Sequence, residues 1–265
     1  DPERIRSLAA DLERVLADVR ACVADWAAMR ARVADVVAEL DRQAAPRPAA
    51  EVAETRAFLT WLADGHFTFL GYRCHDLVAA DDGDALAIVE GSALGVLRGE
   101  KSGRSQSFSQ LPPALRSYAR AKDLLILTKS NSRSTVHRPG YMDYIGIKRY
   151  DAAGEVCGEH RFLGLYASTA YSANPADIPL LRSKVAAVIA RTGVLSVSHD
   201  AKALTNILDT YPRDELFQVS VERLTEIAQA ILRLHGRQRL RMFDRRDPYG
   251  RFVTCLIYAP REHYT

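Results

Sequence analysis

The chain has 265 residues, nearly half of them hydrophobic, so packed cores are expected and wholesale disorder is excluded. Its formal net charge is only +3, too balanced for a dedicated nucleic-acid binder, which carries a clear basic excess on one face. The cysteines, Cys22, Cys74, Cys157 and Cys255, form no CxxC pair; reduced thiols in a cytoplasmic protein are expected, not a disulfide framework or a zinc ribbon.

Two further absences follow. Cys157 and His160 form a lone CxxH with no second ligand pair, so no metal site is expected. No signal peptide is recognisable, and apolar runs such as residues 185–190 are too short to span a bilayer, so no membrane partner is expected.

Residues 1–45 read as one long heptad helix. Ile5, Leu8, Leu12, Val15, Val19, Cys22, Trp26, Met29, Val33, Val36 and Leu40 recur three and four apart. Such a helix is about 60 Å long and cannot bury its stripe on itself. It serves either as an oligomerisation or spacer arm, or as a helix packed across its own domain. Pro46 and Pro48 mark a linker over residues 46–50. A helix is expected from Glu51 to Ala63, ended by Gly65 as a left-handed cap.

Phe67–Cys74 reads as a buried strand, with shorter strands over 85–89 and 94–97. A polar loop is expected over 100–110 and a short helix from Pro112 to Ala121. Leu124–Lys129 is a further strand, which Thr135, Val136 and His137 extend. Residues 143–151 and 155–167 form a hairpin around the three-residue loop Ala152-Ala153-Gly154. That register pairs Ile145 with Arg161 and Ile147 with Glu159. It puts Arg149 and Arg161 on one face and His160 on the other.

Three helices follow. One starts at Asn174-Pro175 and stops at Gly193, one is capped by Ser198, and one begins near Ser220 and ends at Gly236. Residues 240–244 and 252–258 form a last hairpin around Asp247-Pro248-Tyr249-Gly250. Ser198-His199-Asp200 is a helix cap and no catalytic triad, because neighbours along a helix start point apart. No glycine turn follows a strand at dinucleotide or P-loop spacing, so no cofactor is expected to bind here.

The runs HFTFLGYR (66–73), SNSRSTVHR (130–138), YMDYIGIKRYD (141–151), GEHRFLGLY (158–166), IPLLRSKV (178–185), SHDAKALTNILDTYPRDELFQ (198–218) and RRDPYGRFVTCLIYAPREHY (245–264) resemble the large bacterial NAD-specific glutamate dehydrogenases. The resemblance covers most of residues 55–265. It implies a piece of the N-terminal regulatory part of a much longer enzyme. That parent would use NAD, and the piece alone would be inactive. The implied class is α+β. The long helix comes first, then a PAS-like antiparallel sheet flanked by helices over residues 51–172. A helical segment spans 173–236, and residues 237–265 open a ferredoxin-like ACT domain. The rest of the parent chain and a homo-oligomer are the implied partners.

The cationic residues of the sheet are the candidate site. Arg133, His137, Arg138, Lys148, Arg149, His160 and Arg161 have the donors to bind an amino-acid or other anionic effector, arginine by its bidentate fork. The structural alternative is pairing with Asp143, Asp151, Glu155 and Glu159, interleaved among them. Arg237, Arg239, Arg241, Arg245, Arg246 and Arg251 on the last hairpin read as a solvated face or an interface, since interleaved aromatics are missing.

Overall fold

Apolar residues three and four apart make a helix, and the computed structural model extends that helix over 41 residues, α1 (Pro2–Arg42). The model describes residues 1–42, 47–80, 83–98, 122–195, 197–234, 240–248 and 250–259. The expected loop over 100–110, the helix over 112–121 and the residues after Ala259 lie outside that set. The described chain divides into two units, residues 1–168 and 169–265.

In the first unit only part of the α1 stripe is used. Cys22, Met29, Val33, Val36 and Leu40 are buried, and α1 packs on the sheet. Nearer the N-terminus Ile5, Leu8 and Leu12 stay exposed, Leu8 at 69%. Helix α2 (Ala49–Trp61) begins two residues earlier than expected, directly after Pro48, and buries Phe58 and Leu59. It runs into a wide helical turn over Leu62–His66, where Gly65 takes the expected left-handed conformation with φ 84°.

Among the described residues the sheet is antiparallel and six-stranded: β1 (Phe67–Ala80), β2 (Gly83–Ile88), β3 (Leu94–Gly95), β4 (Leu125–Arg133), β5 (Tyr141–Tyr150) and β6 (Val156–Tyr166). Its order is β2-β1-β6-β5-β4, with β3 on β1. Thr135 to His137 do not extend it. Ser134 N–H instead donates to Gly140 O at 2.7 Å and closes a loop in which His137 has φ 71°.

The β5–β6 loop is as expected: Gly154 has φ 77°, and Asp151 N–H donates to Glu155 O at 2.9 Å. The register beyond it is not. Tyr150 pairs with Val156 but Arg149 with Gly158, so Cys157 is an extra, bulged residue. The bulge slips every later pair by one. Ile145 faces Phe162, Ile147 faces His160, and Arg161 faces Gly146. Arg149 and Arg161 therefore lie on opposite faces, because side chains alternate along a strand. A second bulge places Leu70 between Phe69 and Gly71.

After β6 comes the short helix α3 (Ser168–Ser172), whose first residue closes the first unit. The segment at Asn174 is a turn and not a helix start: its side chain accepts from Ala176 N–H at 2.8 Å. Helix α4 (Leu181–Thr192) begins only after Leu180 and ends at Gly193 in the left-handed region. Helix α5 (His199–Thr210) has the Ser198 cap. A short α6 (Arg213–Gln218) was not anticipated. Helix α7 (Val221–Leu232) is capped by Ser220, whose hydroxyl accepts from Arg223 N–H at 3.2 Å.

Lys184 links α4 to the end of α6. Its ammonium donates to the carbonyls of Leu216, Phe217 and Val219 at 2.8, 2.9 and 2.7 Å, satisfying acceptors that the end of α6 leaves unpaired. The hairpin of β7 (Arg241–Arg246) and β8 (Val253–Tyr258) is tied on by Arg245 and Thr254, which both reach Glu215. Gly250 N–H closes its turn on Asp247 O at 2.9 Å.

Candidate functional site

The central strands β1, β6 and β5 are buried along much of their length on both faces, and both faces carry charge. On the α1 side, β1 contributes Tyr72 and Cys74, β6 contributes His160 and Phe162, and β5 contributes Ile147 and Arg149. His160 is held at both nitrogens: Tyr72 O–H lies 2.9 Å from Nδ1, and Glu39 of α1 lies 3.0 Å from Nε2. Burial alone would lower the His160 pKa, but Cys74 and Glu39 outweigh it and hold the imidazole above its ordinary value. The Arg149 guanidinium crosses Gly158 to reach Asp76 at 2.6 Å and Cys74 Sγ at 3.4 Å, with Glu39 at 3.7 Å. Gly158 permits this, since a Cβ there would meet Arg149 at 3.0 Å and the His75 carbonyl at 2.3 Å.

The opposite face carries a two-by-three grid. In one row Arg73 of β1, Arg161 of β6 and Gly146 of β5 stand side by side. In the next, His75, Glu159 and Lys148 do. Glu159 is the hub: Tyr144 O–H donates to it, Lys148 Nζ lies 3.5 Å away, and Arg161 Nε lies 3.5 Å away. Arg161 Nε also donates to the Tyr144 hydroxyl at 2.8 Å. Burial would raise the Glu159 carboxyl, yet Arg161, Lys148 and the Tyr144 hydrogen bond hold it below the usual carboxylate range. Burial pulls Lys148 down from its ordinary value, against Glu159. His75 is pushed down to about 3 by burial first and by Arg161, so it is neutral at physiological pH.

The seven sequence candidates thus fall into three groups. Lys148 and Arg161 meet around Glu159. Arg149 and His160 meet around Glu39 on the far face. Arg133, His137 and Arg138 lie at the β4–β5 connection, where Arg133 stacks over Tyr141 at 5.2 Å and Arg138 donates to Tyr166 O at 3.0 Å. Sequence reasoning missed Arg73, His75, Tyr144 and Glu39. The signal for the first two was present: Arg73 and His75 are two apart in a strand, so they share a face. Among the described residues no group of His, Cys, Asp and Glu could hold a metal ion, and no helix is long and apolar enough to cross a membrane.

Two family models match the second unit: glutamate dehydrogenase helical motif 1 over residues 178–237, and the glutamate dehydrogenase ACT2 domain over residues 241–265. Both matches are to named regions of glutamate dehydrogenase, one helical and one an ACT domain. Relatives then fix the kind. The chain is 40% identical over 98% of its length to the NAD-specific glutamate dehydrogenase of Pseudomonas aeruginosa. It is 37% identical over its whole length to that of Halomonas elongata, and 33% identical over 96% to that of Mycobacterium tuberculosis. It spans 15–17% of those proteins' lengths. Over nearly its whole length the chain is similar to one part of the large NAD-specific glutamate dehydrogenases.

The described residues do not fit NAD itself. The sheet is antiparallel throughout, and none of its strands leads through a glycine turn into a helix N-terminus that would take a pyrophosphate.

Proposed function

We propose that this chain is a non-catalytic regulatory and assembly region of a cytoplasmic, homo-oligomeric enzyme that oxidatively deaminates L-glutamate to 2-oxoglutarate and ammonium with NAD. The observation that carries this reading is the near-complete coverage of the chain by three relatives of that name, against 15–17% coverage of the relatives. The antiparallel sheet supports a PAS-like first unit, and the ACT2 match supports a sensor architecture in the second.

The test is a side-by-side assay of the region and the full-length polypeptide for glutamate-dependent NADH formation. Activity is expected from the full-length polypeptide alone. NADH formation by the region on its own would overturn the non-catalytic reading. A full-length protein lacking residues 1–168 that keeps the same kinetics and effector response would overturn the regulatory one.

A second reading, a sensor module for an amino acid or another anion, is favoured by one observation: Arg73 and Arg161 stand directly opposite each other on neighbouring strands.

A further inference from the structure

Two apolar stripes run along α1, and they face different ways. On a regular helix the buried Cys22, Met29, Val33, Val36 and Leu40 lie within an arc of about 60°. Ile5, Leu8, Leu12, Leu16, Val19, Val23 and Trp26 fill a second arc of about 80°, centred about 90° around the helix from the first. The first stripe packs on the sheet. The second does not: Leu8 and Val23 are 69% and 73% exposed, and Ile5, Leu12, Leu16 and Trp26 are exposed with them.

Single apolar residues on a surface are ordinary, but a contiguous stripe marks a place where something docks. Two copies of this stripe carry on the order of 1,400 Å² of exposed surface, within the roughly 1,200–2,000 Å² that a specific interface buries.

The spacing reads the same from either end. About a point between Val15 and Leu16, Ile5 mirrors Trp26, Leu8 mirrors Val23 and Leu12 mirrors Val19, each pair of numbers adding to 31. Asp1 and Arg30, which bracket the stripe, mirror each other as well. A two-fold axis through that point opposes apolar to apolar along the stripe and acid to base at both ends. A contact of that kind is self-complementary and closes.

Charges beside the stripe choose the direction. Glu13 and Arg20 share one flank, and neither makes an ion pair among the described residues. Antiparallel pairing brings Glu13 to within two positions of Arg20 on the second copy, twice over. Parallel pairing would instead set Arg4 near Arg6 and Asp11 near Glu13, like against like.

We propose that the exposed stripe of α1 pairs antiparallel with the same stripe of a second copy of this chain, about a two-fold axis between Val15 and Leu16. The pairing rests on the homo-oligomeric reading above and names the face that assembles.

The test uses the full-length polypeptide with Leu8→Cys and Val23→Cys, oxidised and mapped by mass spectrometry of its linked peptides. Both positions lie outside the core of the unit, so the substitutions leave it intact. The double variant is expected to give an 8–23 disulfide, and neither single variant a link to its own copy. Within one chain the two positions are about 22 Å apart along the helix, so that link joins two copies. Leu12→Glu is expected to shift the sedimenting species to a smaller assembly than the wild type. An 8–8 or 23–23 link means parallel pairing and overturns the proposed one. An oligomer with no link and an unchanged size in Leu12→Glu also overturns it, and leaves the homo-oligomeric reading standing. Introduced thiols that then resist alkylation would assign the stripe to another segment of the same polypeptide. A wild-type monomer sinks the pairing and that reading together.

Discussion

At the residue scale, two glycines decide where charge can go. A Cβ on Gly146 would sit 2.9 Å from Glu159 Oε1 and from the Tyr144 ring, so Gly146→Ala must displace the hub of the grid. A loss of about 1–3 kcal/mol is expected in urea unfolding, whereas Gly140→Ala, with open space around its Cβ, should be near neutral. The two buried histidines give opposite pH signatures. His75 is neutral in the folded state down to about 3, while an unfolded imidazole protonates near 6.5. Its contribution is therefore present above pH 6.5 and is lost as pH falls from there toward 3. His160 is raised, so its contribution is present below 6.5 and is lost as pH rises through its folded value. Denaturant midpoints across this range should lose their acid-side slope in His75→Leu and their slope above pH 6.5 in His160→Gln.

At the scale of elements, α1 is one helix with two environments. Met29 is fully buried, and Met29→Ala should cost about 2–5 kcal/mol; Leu8→Ala should fall within about 0.5 kcal/mol, both by urea midpoint. The heptad pattern was legible as a helix because spacing sets period, but spacing cannot say which turns find a partner. Caps were equally legible, since Ser198, Gly65 and Gly193 act locally through their own hydroxyl or their own φ. Faces were not. Hairpin counting from Gly154 is correct as far as Tyr150 and fails at Cys157, because no residue type announces a bulge there. The candidate site inherited that slip: Arg161 was placed with Arg149, and Lys148 was separated from its real neighbour. The α4 start was misread because Asn174-Pro175 suits a turn as well as a helix cap.

At the scale of the whole molecule, each unit has its own core and its own reporter. Both tryptophans, Trp26 and Trp61, lie in the first unit. Lys184→Met in the second unit leaves three carbonyls without their donor and should cost about 3 kcal/mol. We expect it to lower the circular-dichroism transition while the tryptophan-fluorescence transition stays in place. Coincident shifts of both signals would mean that the units unfold as one.

The bulge at Cys157 also makes the sheet a parity device. One extra residue there sends Arg161 and Glu159 away from α1 and turns His160 toward Glu39. Deleting Cys157 would restore the plain count and exchange the two faces in a single step. The guanidinium of Arg161 would be driven against the helix, and His160 would be turned into the grid. A change of length between Gly154 and Gly158 would therefore alter which face every later β6 residue takes, an effect that no single substitution there has.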